Sequence, residues 1–550
     1  MDESLLSDLK QVFKGDIDAS DDTIQTFSHD ASIFEVKSQV VVFPKTESDV
    51  ETLVEFVANN KKKHPSLSLT ARAAGTDMSG GSINDSILVS FQRYFSNPPL
   101  IHGHVATVEP GLFYRHFEKE TLKHGLIYPA YPSSREICAM GGIINNNAGG
   151  EKSLEYGKAE DYVEGLNMVL SDGKMHHIKP LTEEELKKKM EGKGFESKIY
   201  SEMYKLITKN YDEIMAAKPD VSKNSAGYYL WNVYDRGTKT FDLTKLFVGA
   251  QGTLGIMTQA ELKLVPVRKH AEMLIIYVND FDRLAEIVNI ILPYKPESLE
   301  TYDAITLKLA LKYYSGFNKK LHTNSFRTFL NFLPEFKMKL FGKLPTLTLQ
   351  AEFTGDSRHE LGLKIKELEE KLKSFNVTMK YAPSKKAEQK YWLIRRDSFN
   401  LLRQKIKDMY ASPFIDDIVV KPEFLPQFLP EFNDILKKYP SIIATFAGHV
   451  GNGNFHVIPL VKLSDPEQQK LIPLICEDVF KLVAKYKGST SGEHNDGLIR
   501  TPYLHLQYEK KILKLFDDVK EIFDPEGIFN PRKKTHGDLA FAMDHIRKTW

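Results

Sequence analysis

The first part of the chain alternates short apolar runs with segments whose apolar residues recur at helical spacing. Val40 to Phe43 is a β-branched run, and Thr46-Glu47-Ser48-Asp49 directly after it is typical of a helix N-terminus. Further strands are predicted at Leu67 to Thr70, Ile87 to Val89 and Ala260 to Val265. The pattern predicts strands and helices in alternation.

After Pro266 the rhythm changes. Leu361, Ile365, Leu368 and Leu372 lie at helical spacing and predict one buried helix face. Strands are predicted at Met273 to Val278, Thr346 to Phe353, Val377 to Tyr381, Ile442 to Phe446 and Phe455 to Leu460. The second part therefore reads as an α+β region, and the boundary is expected near Pro266.

Bulk properties exclude several classes of protein. A chain of 550 residues exceeds what one hydrophobic core usually supports, so two or three domains are expected. A net charge of +1 provides no overall field for nucleic acid, so no nucleic-acid partner is expected. Two cysteines, Cys138 and Cys476, provide neither a disulfide framework nor an iron–sulfur site. With an acidic start and no long apolar run, the protein is expected in the cytoplasm.

One segment, residues 317–343, combines basic residues with interleaved phenylalanines. The basic residues are Lys319, Lys320, Arg327, Lys337, Lys339 and Lys343, and the phenylalanines are Phe317, Phe326, Phe329, Phe332, Phe336 and Phe341. Such a stretch can lie on the inner face of a membrane as a peripheral contact, or dock an acidic partner. It can equally be a helix that covers the second region with a solvated basic face.

Three glycine-rich loops lie in the first part of the chain. They are residues 73–81, residues 140–150 and residues 249–255. Amides exposed in tight turns can bind the phosphates of a ligand. None of the loops matches the dinucleotide fingerprint GxGxxG or a Walker loop, and each loop alone reads as a plain set of turns.

The order of these loops along the chain resembles the FAD-binding domain of the vanillyl-alcohol oxidase superfamily. The resemblance covers about residues 38–266 and includes Pro44, Tyr156-Gly157 and Val169 to Gly173. It implies FAD as the cofactor. The flavin contacts it implies are Arg72, Ala74, Gly75, Thr76, Asp77, Ser79, Gly80, Pro132, Ser133, Ser134, Gly141, Gly142, Asn146, Asn147, Ala148, Gly150, Gly252, Gly255, Ile256 and Asn530.

Some relatives attach FAD through a histidine in an Arg-x-Gly-Gly-His loop. Here that loop reads Arg72-Ala73-Ala74-Gly75-Thr76, without histidine or cysteine. Non-covalent FAD is therefore expected.

A second motif, Gly448 to His456, sets two imidazoles and an amide around a glycine turn. The glycines allow a kink that could bring His449 and His456 together, and Asn454 shares a strand face with His456. Glu493 is the carboxylate candidate, and imidazoles with a carboxylate suit zinc, manganese or iron. Two polar loop histidines without a shared ligand are the alternative.

Together with a further motif, Gly492 to Gly497, which contains Glu493 and His494, this motif resembles the C-terminal domain of the glycolate oxidase, D-lactate dehydrogenase and D-2-hydroxyglutarate dehydrogenase group. Phe523 to Pro531 matches the terminal motif of that group, in which the chain returns to the flavin. The resemblance implies a divalent metal on His449, His456 and Glu493. It further implies that Asn454 orients the substrate and that His494 is the base.

The same resemblance implies an arginine for the substrate carboxylate within Trp392 to Arg396. We favour Arg395, with Arg396 as the alternative. Relatives selective for D-2-hydroxyglutarate use a lysine shortly before the next aspartate-containing strand. Residues 413–417 have none, so a dicarboxylate preference is not implied.

The fold class expected is α+β: a two-subdomain FAD-binding domain of the p-cresol methylhydroxylase type, then an α+β cap domain. The regions are a helical lead-in (1–37), the FAD domain (38–266), the cap with substrate and metal (267–520) and a segment returning to the flavin (521–550). The expected activity is oxidation of a small D-2-hydroxy acid to the 2-oxo acid. Electrons would pass to a separate iron–sulfur subunit, a quinone or a soluble carrier.

Three alternatives stay open at this point. One is a flavin-dependent synthase of the alkylglycerone-phosphate type, and another is a flavin-binding partner subunit without catalysis. The third is an oxidase, because sequence does not separate an oxidase from a dehydrogenase.

Overall fold

The structure, a computed structural model, describes residues 2–279, 282–317, 324–342, 344–384, 387–396 and 409–548. Lys319, Lys320 and Lys343 of the basic segment lie outside these residues, as does the side chain of Arg327. Within the described residues, no helix is both long and apolar enough to cross a membrane.

Two sheets dominate residues 2–266. In the first, Val40–Phe43, Ile87–Ser90 and Leu69–Arg72 are parallel neighbours, and Asp16–Asp18 pairs antiparallel with Val40–Phe43. The second is antiparallel, in the order Leu100–His102, Val105–Val108, Ile256–Lys263, Val163–Val169 and Met175–Ile178. Short pairs join Leu126–Ile127 to Val265–Pro266 and Tyr234–Asp235 to Thr240–Phe241.

A large antiparallel sheet organises the rest of the chain. Among the described residues its order is Val377–Ala382, His270–Val278, Leu347–Gly355, Ser298–Asp303, Ile443–His449, Asn454–Val461 and Tyr410–Ala411. Ile418–Val419 also pairs with Asn454–Val461. The central strands are buried along their length because helices cover both faces.

The α-helices are as follows. In the first part they are Glu3–Val12, Asp21–Phe27, Glu47–Asn60, Tyr114–Lys123, Met140–Asn145, Ser153–Tyr156, Glu183–Met190, Phe195–Lys209, Tyr211–Ala216 and Thr244–Phe247. Those that follow are Leu284–Ile291, Ala304–Lys312, Ser325–Leu340, Arg358–Leu372, residues 387–396, Leu425–Lys437, Pro466–Lys485, Gly497–Arg500, Leu504–Gln507, Lys510–Phe523 and Leu539–Asp544.

The α+β prediction is confirmed, and the predicted strands all form. Their ends differ by a few residues because pairing partners set them. The predicted strand at Leu67, for example, begins at Leu69, which pairs with Ile87, while the amide of Leu67 bonds the carbonyl of His64. Thr46 caps its helix through a reciprocal bond with Asp49, as predicted.

The chain crosses between its two parts several times. Helix Lys510–Phe523 packs in the core of the first part, although it overlaps the range 267–520 that we assigned to the cap. Ile33, Phe34 and Ile83 pack in turn against the core of the second part. The division into regions at residues 37, 266 and 520 therefore stays a prediction.

Candidate active site

A hairpin brings the predicted histidines together. Strand Ile443–His449 ends in a short 3-10 turn and returns as Asn454–Val461, with His449 opposite Asn454 and Ala447 opposite His456. Cross-strand partners share a face, so His449 and His456 are diagonal neighbours on one side of the hairpin. The turn needs Gly453, whose φ is +65° and whose position would drive a Cβ into the carbonyl of Val420.

Three side-chain atoms form a small triangle. His449 Nε2 lies 3.2 Å from Glu493 Oε1 and 3.2 Å from His456 Nε2. The third side, from His456 Nε2 to Glu493 Oε1, measures 3.5 Å. The side chains of His449 and Glu493 are 4% exposed, and that of His456 is 11% exposed.

Each imidazole of the triangle is backed by a carboxylate on its other nitrogen. His449 Nδ1 lies 2.5 Å from Glu300, and His456 Nδ1 lies 3.1 Å from Asp416. Both carboxylates are buried acceptors, so each can hold the Nδ1–H of its histidine, and the two Nε2 atoms face the triangle. Burial would lower the pKa of His456, whereas Asp416 and Glu493 raise it to about 10. The same anions favour a cation at this point.

His494 lies beside the triangle and shares its support. Its ring stacks on His456 with centroids 5.1 Å apart, and its Nδ1 lies 3.0 Å from the second oxygen of Asp416. Burial would lower the pKa of His494, but Asp417 and Asp416 raise it. Asp417 accepts the backbone amides of Glu493 and His494 at 2.8 and 2.7 Å, which fixes the loop.

A buried lysine from the first part of the chain completes the cluster. Lys223 Nζ donates to Glu493 Oε2 at 3.0 Å and to Asn454 Oδ1 at 3.3 Å. Burial would raise the pKa of Glu493, but Lys223 and His449 hold it well below its usual value. Glu493 is therefore an anion. Asn454 also donates to Asp417 and lines neither cavity described below, so its expected contact with substrate stays a prediction.

The first of two adjoining cavities lies between the glycine-rich loops. Its wall includes most of the predicted cofactor contacts: Arg72, Ala74, Gly75, Thr76, Asp77, Pro132, Ser133, Ser134, Gly141, Gly142, Asn146, Ala148, Gly252 and Gly255. Glu493 and His494 lie at the same wall. A Cβ on Gly142 would meet no atom within 4 Å, so the backbone there borders open space.

The other predicted contacts do not line this cavity, and some of them hydrogen-bond to the loops that do. They are Ser79, Gly80, Asn147, Gly150, Ile256 and Asn530. Asn530 donates to the carbonyls of Gly81 and Gln251 and so ties two of the loops together. Ser79 donates to Asp77, which also bonds Asn146. Their direct contact with a cofactor stays a prediction.

The second cavity contains the predicted arginines. Arg395 and Arg396 line it, together with Thr306, Thr445 and His456. His494 and the Ser133-Ser134 pair border both cavities, so the two spaces meet at the proposed base.

The two arginines differ in their partners. Arg396 directs Nε and Nη2 to the two oxygens of Glu151, which uses its fork. Arg395 bonds Glu300 through Nε only, at 3.0 Å. Among the described residues no partner is recorded for its two terminal nitrogens, so Arg395 is the better placed to receive a carboxylate.

Family comparisons agree with this arrangement. Residues 38–179 match the family described as FAD binding domain, and residues 267–534 match the family described as FAD linked oxidases, C-terminal domain. The chain belongs to the FAD-linked oxidoreductase family. The predicted family is thereby confirmed.

Among curated relatives, D-2-hydroxyglutarate dehydrogenase of Pseudomonas putida is 28% identical over 95% of the chain and 50% of the relative. Glycolate oxidase subunit GlcD of Bacillus subtilis is 25% identical over 92% and 91%. The chain thus spans about half the length of the D-2-hydroxyglutarate dehydrogenase that it matches.

Solved structures extend the likeness in fold. p-Cresol methylhydroxylase superposes with a TM-score of 0.66 at 13% identity, covering 98% of both chains. Alkyldihydroxyacetonephosphate synthase gives a TM-score of 0.65 at 16% identity, covering 97% of this chain and 85% of the synthase. At these identities the likeness concerns the fold alone.

The residues of the first cavity and of the triangle fit the two groups expected there, FAD and a metal ion. The three glycine-rich loops contribute much of the lining of the first cavity, and their backbone amides suit a pyrophosphate. Around a tetrahedral metal, ligand atoms at about 2.0–2.1 Å are about 3.3 Å apart, close to the sides of the His449, His456 and Glu493 triangle. Asp417, His456, Glu493 and His494 form an overlapping group within 4.8 Å, but Asp417 already accepts several hydrogen bonds.

Several residues of this site escaped the sequence analysis. Glu300, Asp416, Asp417, Lys223 and Glu151 all contact predicted residues, yet none carries a motif of its own. Asp416 and Asp417 lie in a stretch that resembles relatives, but no role was predicted for either side chain. Cys138 also lines the first cavity, although the loop around Gly75 contains no cysteine.

Proposed function

We propose that this FAD-linked oxidoreductase oxidises a small D-2-hydroxy acid to the 2-oxo acid with non-covalent FAD and a divalent metal. The observation that carries the proposal is the position of His494. It borders both cavities and stacks on one corner of the His449, His456 and Glu493 triangle. A base beside a flavin and a cation site suits removal of a hydroxyl proton.

Each residue then has a distinct task. Arg395 binds the substrate carboxylate through its terminal nitrogens, and His494 Nε2 accepts the hydroxyl proton while the Asp416 carboxylate lies next to Nδ1. His449, His456 and Glu493 would hold the metal, which when bound would lower the pKa of the substrate hydroxyl and orient it. FAD, when bound, would accept the hydride from the α-carbon.

The cofactor is proposed to be non-covalent for two reasons. The loop around Gly75 has no nucleophile, and burial raises the pKa of the Cys138 thiol to about 12. A protonated thiol is a poor nucleophile, so Cys138 is not expected to attach to FAD.

The electron acceptor is proposed to be a separate iron–sulfur subunit, a quinone or a soluble carrier. Both cysteines are buried and lie in different cores, so they supply no cluster ligands. The substrate class proposed is small 2-hydroxy carboxylates, in agreement with the relatives named D-2-hydroxyglutarate dehydrogenase and glycolate oxidase subunit.

An anaerobic screen of D- and L-2-hydroxy acids tests the proposal. We expect one D-acid to bleach the flavin absorption near roughly 450 nm, a property of the oxidised cofactor, and its L-enantiomer to leave it unchanged. Arg395→Gln should raise KM for that acid more than Arg396→Gln does, because Arg396 is committed to Glu151.

Two outcomes would count against the proposal. A flavin that stays oxidised with every acid would favour a non-catalytic subunit. Turnover of an alkylglycerone-phosphate substrate without net bleaching would favour the synthase.

A further inference from the structure

Glu300 divides its two carboxylate oxygens between different parts of the site. It lies on strand Ser298–Asp303, one position beyond the pairing of Thr301 with Gly448, which places it opposite His449. Oε1 lies 2.5 Å from His449 Nδ1, and Oε2 accepts from Arg395 Nε at 3.0 Å. One side chain therefore bridges the hairpin and helix 387–396.

The burial of Glu300 makes these contacts necessary. Its side chain is 1% exposed. Burial would raise the pKa of Glu300, but His449 and Arg395 keep it below its usual value. A buried carboxylate is tolerated when hydrogen-bonded cations or donors surround it, and here both partners are functional candidates.

The two partners of Glu300, His449 and Arg395, each direct their other end toward a different predicted binding site. His449 directs Nε2 to the triangle with His456 and Glu493. Arg395 lines the second cavity, with its terminal nitrogens beyond the Nε that Glu300 holds. Rotation of either group would require Glu300 to lose a hydrogen bond.

We propose that Glu300 is a positioning residue that holds the metal-binding imidazole of His449 and the substrate-binding guanidinium of Arg395 at the same time. The inference rests on the proposed function and adds to it a coupling between the metal site and the carboxylate site. Through Glu300, a shift of the imidazole is transmitted to the arginine that binds the substrate.

Asp416 makes a parallel pair of contacts on the other side of the triangle. One oxygen bonds His456 and the other lies next to His494. Asp416 does not touch Arg395, so the two carboxylates serve different substrate-facing groups. Of these two residues, only Glu300 is therefore expected to affect how Arg395 binds the substrate carboxylate.

The test measures two binding constants in Glu300→Gln, which keeps the shape and removes the charge. The first is the dissociation constant of Zn²⁺ or Mn²⁺ from the FAD-loaded protein, by competition with a chelating dye. The second is that of pyruvate or 2-oxoglutarate at saturating metal, from the shift of the flavin spectrum. The matched control is Glu335→Gln, which removes a buried carboxylate paired with Lys390 away from both cavities.

We expect Glu300→Gln to weaken metal binding by about 10–100-fold, as for the loss of a hydrogen-bond partner behind a ligand. It should weaken 2-oxo acid binding by about tenfold. In the double variant Glu300→Gln/Arg395→Gln, the loss of binding free energy for the 2-oxo acid should be less than the sum of the losses in the two single variants, because the two residues act together. Glu335→Gln should change neither constant.

Other outcomes overturn the inference. If Glu300→Gln weakens metal binding but not 2-oxo acid binding, Glu300 supports the metal site only. If the losses of 2-oxo acid binding free energy in the two single variants add up in the double variant, Glu300 and Arg395 are not coupled. If Glu300→Gln fails to load FAD, Glu300→Asp replaces it, since it keeps the charge and should recover metal binding in part. If the wild type binds metal but neither 2-oxo acid, the proposed function fails, and the inference with it.

Discussion

Glu493 and His494 are adjacent in the chain, yet their side chains have different partners. Glu493 is a corner of the triangle and accepts from Lys223, whereas His494 stacks on His456 and lies next to Asp416. The proposed roles are therefore separable by substitution. One is a ligand, and the other is a base.

Glu493→Gln should release the metal, because an anionic ligand becomes a neutral amide. Removing a residue that hydrogen-bonds to a metal ligand lowers metal affinity by about 10–100-fold. Removing a ligand itself should lower it by at least as much. It also leaves Lys223 buried without its carboxylate, so the melting temperature should fall. Metal analysis of the purified variant checks the first effect, and excess metal should restore part of the flavin reduction.

His494→Asn should keep both metal and FAD but slow flavin reduction by about 10²–10⁴-fold. The deficit should shrink at high pH, where solvent takes the proton. Anaerobic stopped-flow reduction measures it. A wild-type rate in His494→Asn would disprove the base, and equal loss of metal in both variants would mean that the two residues only fix the loop.

Sequence predicted the residues of this site that carry motifs, and missed those that support them. His449 and His456 are close in the chain and flank a glycine turn, so their meeting was foreseeable. Glu300 is 149 positions from His449, and Asp416 has no spacing relation to His494. Such contacts depend on how distant strands and loops come together in the fold, which a local sequence pattern does not encode.

At the scale of elements, helix Ser325–Leu340 carries the basic segment seen in the sequence. Phe317 and Phe332 are buried, in agreement with a helix that covers the second part of the chain. Phe326 and Phe341 are each 70% exposed and Leu340 is 80% exposed. One face of this segment therefore covers the second part of the chain, and its outer surface is both apolar and basic.

We predict that this outer surface binds anionic membrane. Lys337→Glu/Lys339→Glu should weaken co-sedimentation with vesicles containing anionic lipid, by about 1 kcal/mol for each lysine removed. The matched control is Lys371→Glu/Lys373→Glu, which reverses two exposed lysines at the end of another helix. Equal binding by all three proteins would leave the segment as a solvated cover.

Elements were easier to predict than their ends. The helix with Leu361, Ile365, Leu368 and Leu372 forms, and these four side chains are buried. Periodicity reports which face is buried, and burial was predictable for that reason. Strand ends depend on partners far along the chain, as the pairing of Leu69 with Ile87 illustrates.

At the scale of the whole molecule, the first cavity draws its walls from both parts of the chain. Residues 71–82, 132–148 and 251–257 form most of it, and Glu493 and His494 close it. A ligand in this cavity contacts both parts and should stabilise them together.

We therefore predict that FAD is released when the chain unfolds and that free FAD opposes unfolding. Each tenfold rise in free FAD above its dissociation constant should add about 1.4 kcal/mol to the free energy of unfolding. Thermal melts at several FAD concentrations, monitored by flavin fluorescence and circular dichroism, measure this effect. Cys138→Ser should behave like the wild type, and acid precipitation should leave the flavin in the supernatant.

Covalent attachment would give different results. Flavin would stay with the acid precipitate, and the melting temperature would not depend on added FAD. Loss of flavin well before loss of secondary structure would mean that the cavity opens without unfolding of the two parts.

The segment around Asn530 has a consequence for how the protein is made. Leu69 bonds Ile528 and Asn530 through its backbone, and the Asn530 amide joins the carbonyls of Gly81 and Gln251. These loops leave the ribosome hundreds of residues before Asn530 is translated. The pocket cannot be completed before this asparagine has been made, so we expect the flavin to be captured only late in synthesis or after it.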